Sequence, residues 1–193
     1  MTDIIIVVDA QNSFCHPDGV DTRRFAKTEK KLGELKHTIA HIKLFLENAR
    51  MQNVPVIYFC ANENATNVAL WNLQIHNDLK PREGEEVLWR NNPEDDRALD
   101  ITVRSLSKKF FAPHFFLCGF YTHYCVTRVA LHALKVEIPV AFVVDCAFPR
   151  MTQREQKSFS FIQEQVSFNF DASLARFVQM SAIFPDANPP VSE

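Results

Sequence analysis

The chain reads as one α/β domain, a parallel sheet covered on both faces by helices in a three-layer αβα arrangement. Short, nearly continuous apolar runs at 4–8 (IIIVV), 54–60 (VPVIYFC), 114–118 (HFFLC) and 138–144 (IPVAFVV) have the pattern of strands buried on both faces. Segments of helical periodicity separate them, which implies right-handed βαβ units and hence parallel strands. With 193 residues and 47% hydrophobic content, one full core is expected, burying roughly 70% of the unfolded surface, and no second domain.

The first strand, Asp3 to Asp9, is β-branched and ends in an acid. In open α/β sheets ligands gather outside the carboxyl ends of strands, so Asp9 is a candidate functional group, with a loop-capping aspartate as the other reading. Gln11 to Gly19 reads as a loop. Leu32, Leu35, Ile39, Ile42, Leu46 and Ala49 then place one apolar stripe on a long helix over 29–52. His37 and His41 lie four apart on it, but without a third ligand nearby they read as a solvated face. The second strand covers 54–60. Residues 66–78 mix apolar residues and asparagines without a clean period, and Trp71 either lines a pocket or packs. A third strand, 85–90, ends in Arg90 and leads into a polar loop at 91–93. Ala98, Ile101, Val103 and Leu106 suggest a helix.

The fourth strand, 114–118, is closed by Gly119, and Val126, Val129, Ala130 and Ala133 mark the helix after it. Cys125 then falls in the first helical turn, with Thr122 as its N-cap. A helix N-terminus favours thiolate and can bring a cysteine pKa from ~8.5 to roughly 3.5–7.5. The other reading is a small hydrophobe filling a turn. A fifth strand is expected over 138–145, a polar helix over 152–165, a short sixth strand over 166–168 and a helix over 171–181. The domain is expected to span 1–184, with the proline-rich 185–193 as an extended or disordered tail.

Composition narrows the function. A net charge of -2 from 21 basic and 23 acidic residues, without long runs of one sign, leaves no footprint for nucleic acid or a membrane surface. A small neutral or anionic ligand fits better. No stretch reaches the ~18–20 apolar residues of a membrane span, and no signal peptide precedes the first strand, so a cytoplasmic protein is expected. Five widely spaced cysteines without a CxxC pair argue for reduced thiols rather than a disulfide framework or zinc knuckle. Only four glycines occur, and neither GxGxxG nor GxxxxGK[ST] is present, so phosphate-cradling nucleotide loops are missing.

Asp9, Arg90 and Cys125 therefore lie at or just past the carboxyl ends of three strands. A carboxylate, a cation and a thiol on one sheet edge form the general pattern of an activated-cysteine hydrolase. On the opening IIIVVDAQNSF, the turn GFYTHYCV and the later VVDCAF, the sequence resembles the isochorismatase-like cysteine hydrolases, which include nicotinamidases and carbamoyl-sarcosine-type amidases. The resemblance spans most of the chain. It implies a six-stranded sheet in the order 3-2-1-4-5-6 and an Asp-Lys-Cys triad. Asp9 and Cys125 match directly, whereas Arg90 stands in the lysine's place. Lys108 and Lys109 read as the far end of a helix.

The resemblance further implies a cis peptide at Phe120-Tyr121, with the amides of Tyr121 and Cys125 as an oxyanion hole, and a homo-oligomer. It implies amide C–N cleavage through a Cys125 thioester with Asp9 as base. The alternatives are a catalytically impaired binding or assembly protein, motivated by Arg90, and a vinyl-ether hydrolase that needs no thiol. The nicotinamidase-type Asp-x-His metal pair is absent after the second strand, so no metal or other cofactor is expected. Phe14, Trp71, Phe120 and Tyr121 are the candidate lining of a substrate pocket, with core packing as the competing role for each.

Overall fold

The computed structural model describes residues 1–62, 70–90, 95–149, 162–164 and 170–186. Six parallel strands form one sheet in the order β3-β2-β1-β4-β5-β6. They are β1 (Thr2–Val8), β2 (Val56–Ala61), β3 (Glu86–Arg90), β4 (Pro113–Phe120), β5 (Val140–Phe148) and β6 (Ala175–Val178). The helices are α1 (Asn12–Cys15), α2 (Val20–Phe25), α3 (Glu29–Met51), α4 (Leu70–Leu73), α5 (Asp96–Lys109) and α6 (Thr127–Leu134), with a last helical turn at Met180–Ile183.

Strand alternation sorts the core into two layers. Ile5 and Val7 face Leu35, Ile39, Ile42, Phe45 and Leu46 of α3, together with Met180 and Phe184. Ile4, Ile6 and Val8 face Leu99, Val103 and Leu106 of α5 and Val126, Val129 and Ala133 toward α6. Because β1 is buried on both faces, each of its apolar residues has a helix to meet. This is why the run is uninterrupted rather than alternating. Thr28 caps α3 by accepting the Lys31 amide, and Asp95 caps α5 by accepting the amides of Arg97 and Ala98.

The structure differs from the sequence expectations at several places. The sixth strand is Ala175–Val178, inside the stretch expected as a helix over 171–181. Leu174, Phe177 and Val178 have helical spacing, yet Ala175 and Phe177 pack on one face of the sheet and Val178 on the other. A four-residue edge strand is too short for its period to be read. The strand expected over 166–168 lies outside the described residues, as does most of the helix over 152–165, of which 162–164 are helical.

The loop expected at 11–19 contains α1, and the unclear 66–78 holds α4 and a 3-10 turn, Asn77–Leu79. Gly119 lies inside β4 rather than closing it. At φ +114 it marks the register break against β5 between Leu117 and Gly119. Of the expected tail only Pro185 and Asp186 are described, as a turn. Among the described residues no helix is long and apolar enough to cross a membrane.

Candidate active site

Asp9 follows β1 directly and is fully buried. Its amide donates to the Phe59 carbonyl at 2.8 Å, and its backbone turns out of the sheet at φ 49. Aspartate is among the few side chains that tolerate this left-handed region. Gln11, two residues on, extends the sheet with its side chain. Its Nε2 donates to the Ala61 carbonyl and its Oε1 accepts the Ala61 amide, both at 2.8 Å, while Nε2 also donates to Leu73 O at 2.9 Å. The amide side chain thus pins the exit of β1 to the end of β2 and holds Asp9 in place. That role was not read from the sequence, although a glutamine two residues past a buried acid is its signal.

Arg90 is the last residue of β3, paired in register with Ala61, and is 4% exposed. It reaches past β2 to Asp9, donating from Nη2 to both carboxylate oxygens at 2.5 and 2.6 Å. The contact comes from one terminal nitrogen rather than from the two-nitrogen fork usual for arginine and carboxylate. In that respect the guanidinium presents what a lysine ammonium would present. Among the described residues its buried Nε and Nη1 have no hydrogen-bond partner, at roughly 1–3 kcal/mol for each unsatisfied buried donor. Burial opposes the charge on Arg90, but the carboxylate of Asp9 and the neighbouring Cys125 outweigh it and raise the guanidinium pKa.

Cys125 lies in a π-helical turn, Thr122–Val126, between β4 and α6. It is 6% exposed, and the charges of both Asp9 and Arg90 act on its thiol. The low pKa expected of a helix N-terminus is not found. Burial, followed by the negative charge of Asp9, pushes the thiol well above its ordinary value, and Arg90 offsets only part of this. The reason is geometric: the wide turn replaces a regular helix start, and the nearest full charge is an anion. Thr122 is likewise not the expected cap. The N-cap position is Tyr121, and the buried Thr122 Oγ1 has no partner among the described residues. The Phe120-Tyr121 peptide is cis.

Of the candidate pocket residues, Phe14 and Tyr121 meet edge to face at 5.9 Å, and the Tyr121 hydroxyl donates to the Phe14 carbonyl at 3.4 Å. Phe120 is fully buried and packs on Phe148, at 6.1 Å between ring centres. Trp71 is 38% exposed and stands against the His16 ring at 4.8 Å, apart from the Tyr121 cluster. Phe25 and Phe148 complete the aromatic surround of Tyr121 at 6.3 and 6.4 Å. Neither was singled out from sequence, though Phe148 closes the VVDCAF segment. Lys109 ends α5 and pairs with Glu86 at the start of β3, at the opposite end of that strand from Arg90. Among the described residues no group of three metal-ligating side chains exists.

Cys60, on β2, also borders the centre. Burial and then the charge of Asp9 raise its thiol pKa, with Arg90 acting against them. All five cysteines are buried, and burial raises the thiol pKa of each. In the unfolded chain they titrate near ~8.5, so the folded state holds these protons more tightly. The stabilisation is complete below that pH and is lost as pH rises toward the folded values. Unfolding free energy is expected to fall above pH ~8.5 by up to ~1.4 kcal/mol per thiol per pH unit. Thermal melts under reducing conditions from neutral to alkaline pH check this, and a flat profile across that range would refute it.

An all-parallel 3-2-1-4-5-6 sheet flanked by helices has the architecture of the isochorismatase-like hydrolases. The chain belongs to this family, because residues 3–171 match the family model of the isochorismatase domain. A secreted isochorismatase effector, Isc1, of Verticillium dahliae is 24% identical over 135 residues, 66% of this chain and 62% of that protein. The chain therefore matches less than two thirds of the length of that curated relative. An isochorismatase-like hydrolase from Alkaliphilus metalliredigens superposes with a TM-score of 0.71 at 14% identity, covering 96% of this chain and 98% of the other. N-carbamoylsarcosine amidase from Thermoplasma acidophilum gives 0.65 at 18% identity, covering 93% and 97%. At such identities these structures share the fold.

Proposed function

We propose that the protein is a small-molecule cysteine hydrolase that cleaves an amide-type C–N bond. The observation that carries the reading is the meeting of Asp9, Arg90 and Cys125, distant in sequence, in one buried cluster where both charges act on the thiol. N-carbamoylsarcosine amidase, an amidase of the same fold, supports it. The high thiol pKa makes the resting nucleophile an S–H, so a base must take its proton during attack. A carboxylate offers about four acceptor positions. The two contacts from Arg90 leave room for that proton on Asp9.

In the proposed reaction Asp9 takes the Cys125 proton as the sulfur bonds to the carbonyl carbon. The amides of Tyr121 and Cys125 receive the oxyanion. The adduct collapses as the C–N bond breaks and Asp9 returns the proton to the departing nitrogen. Asp9 then deprotonates a water that attacks the thioester, and the same proton restores the thiol as the acid leaves. Phe14 and Tyr121 are proposed to line the substrate pocket, with Phe120 behind them; Trp71, against His16, stands apart from it. No cofactor takes part in this scheme. The 1–184 segment is proposed as one catalytic domain, acting in the cytoplasm as a homo-oligomer.

The test is mass spectrometry of the Cys125 peptide during turnover of a panel of simple amides and ureides. An acyl adduct on Cys125 is expected, with turnover lowered ~10²–10⁴-fold in Asp9→Asn and abolished in Cys125→Ala. Hydrolysis of a vinyl ether that survives Cys125→Ala but not Asp9→Ala would replace this reading with thiol-independent chemistry. The close Arg90 clamp on Asp9 favours one other reading, a binding or assembly protein. Absence of adduct and turnover in both wild type and Arg90→Lys would establish that alternative.

A further inference from the structure

The structure assigns a second small-molecule site, for a compact organic anion of the aryl or alkyl carboxylate class, to the cavity between α3 and the turns after α1 and α4. The cavity encloses about 360 Å³ and is lined by residues 15–17, by α3 from Leu35 to Lys43, and by His76 and Asp78. That volume lies within the usual ligand-pocket range of roughly 300–1,000 Å³. Its base is apolar: Cys15 and Leu35 are fully buried, and Ile39 nearly so. Its polar groups are two histidines and two lysines, with one aspartate.

The two histidines are built alike. Nδ1 of His16 accepts the Asp18 amide at 3.1 Å, and Nδ1 of His76 accepts the Asp78 amide at 3.3 Å. A backbone amide can only donate, so in each neutral ring the proton must be on Nε2. Among the described residues no protein group takes Nε2 of either ring. The rings are 5.8 Å apart and tilted by 38°, so two fixed N–H donors border one cavity. Protonated Nε2 cannot ligate a metal. It can donate to an oxyanion.

The charged groups around the rings agree with that choice. Lys36 and Lys43, two helical turns apart on α3, line the same cavity. Lys43 Nζ is 3.6 Å from Asp78 Oδ1, so among the described residues Lys36 is the lining charge without a carboxylate partner. Asp18 and Asp78 lie 3.9 and 3.8 Å from the Nδ1 atoms of His16 and His76. Asp78 can take over Nδ1 of His76 if that ring becomes an imidazolium, so lower pH adds positive charge there without dismantling the donor pair. Burial, and then His16, hold His76 below the ordinary histidine range against the pull of Asp78. A bound anion would relieve both effects.

The cavity also adjoins the segment that carries Asp9. The His76 amide donates to the Ala10 carbonyl at 2.9 Å, and Cys15 Sγ donates to the Gln11 carbonyl at 3.0 Å. An occupant would therefore brace the exit of β1 from outside the Asp9–Arg90–Cys125 cluster. The inference stands independently of the proposed hydrolase activity.

The test is a titration of the full chain, carbon-13 labelled at histidine, with benzoate at about pH 6 and about pH 8. Benzyl alcohol and inorganic phosphate serve as probes lacking the charge or the apolar body. The ring signals of His16 and His76 are expected to move together and saturate with benzoate, more tightly at the lower pH as His76 gains charge, ahead of the other five histidines. Benzyl alcohol and phosphate should each bind more weakly. The exposed double change Lys36→Gln and Lys43→Gln should weaken benzoate by about three- to ten-fold, and His16→Gln with His76→Gln should remove saturation. The assignment is overturned if benzoate moves all seven histidines alike or none. It is also overturned if the folded lysine double variant binds as tightly as wild type, whatever the histidine variants do.

Discussion

Gly119→Ala is expected to leave the chain insoluble or destabilised by more than ~4 kcal/mol. A Cβ at this position would be 2.1 Å from the Val8 carbonyl oxygen and 2.8 Å from the Val8 nitrogen, on a backbone at φ +114. Backbone atoms cannot move aside as the end of a side chain can, so the β1–β4 pairing would have to open one residue before Asp9. Gly33→Ala supplies a control of opposite sign. Nothing lies within 4 Å of the Cβ it would add, and Gly33 is inside α3, so a gain of about 0.5–1 kcal/mol is expected from helix propensity. Soluble yield and urea denaturation of the two variants measure this. A Gly119→Ala protein within ~1 kcal/mol of wild type would show that β4 does not need the glycine.

Arg90→Met is expected to cost ~3–5 kcal/mol, because it leaves the fully buried Asp9 carboxylate without its cation. Combining it with Asp9→Asn should recover most of the loss, since asparagine tolerates the left-handed backbone of residue 9 and removes the isolated charge. Arg90→Lys should stay within ~1.5 kcal/mol of wild type. It keeps a single-nitrogen donor for Asp9 and removes two buried donors without a partner among the described residues. Urea denaturation of these proteins and of Asp9→Asn alone at neutral pH gives the cycle. If the double variant were as unstable as Arg90→Met alone, the ion pair would not be the origin of the loss. The same three proteins show whether arginine in the lysine's place limits turnover or only stability.

The long periodic and fully apolar segments were legible in the sequence. β1, β2, β4, β5 and α3 came from runs and stripes whose burial leaves them little choice of conformation. The cluster was legible in outline because Asp9, Arg90 and Cys125 each lie at or just beyond a strand end, where parallel topology gathers side chains along one edge. What failed were short elements and local electrostatics. β6 has four residues and one neighbouring strand, so its pairing with β5 decides its conformation. The Cys125 thiol was expected low from its place near a helix start, but burial and a carboxylate outweigh a dipole weakened by the irregular turn.

By itself the sequence determined the αβα architecture, the family motifs and the residues delivered to the carboxyl edge. These follow from periodicity and from chemistry placed at strand ends, both local properties of the chain. Only the tertiary structure decided that one nitrogen of Arg90 takes both oxygens of Asp9, that Gln11 completes the end of β2, and that His16 and His76 border one cavity. Those outcomes depend on distances between segments far apart in sequence, and on the burial that sets how strongly each charge is felt.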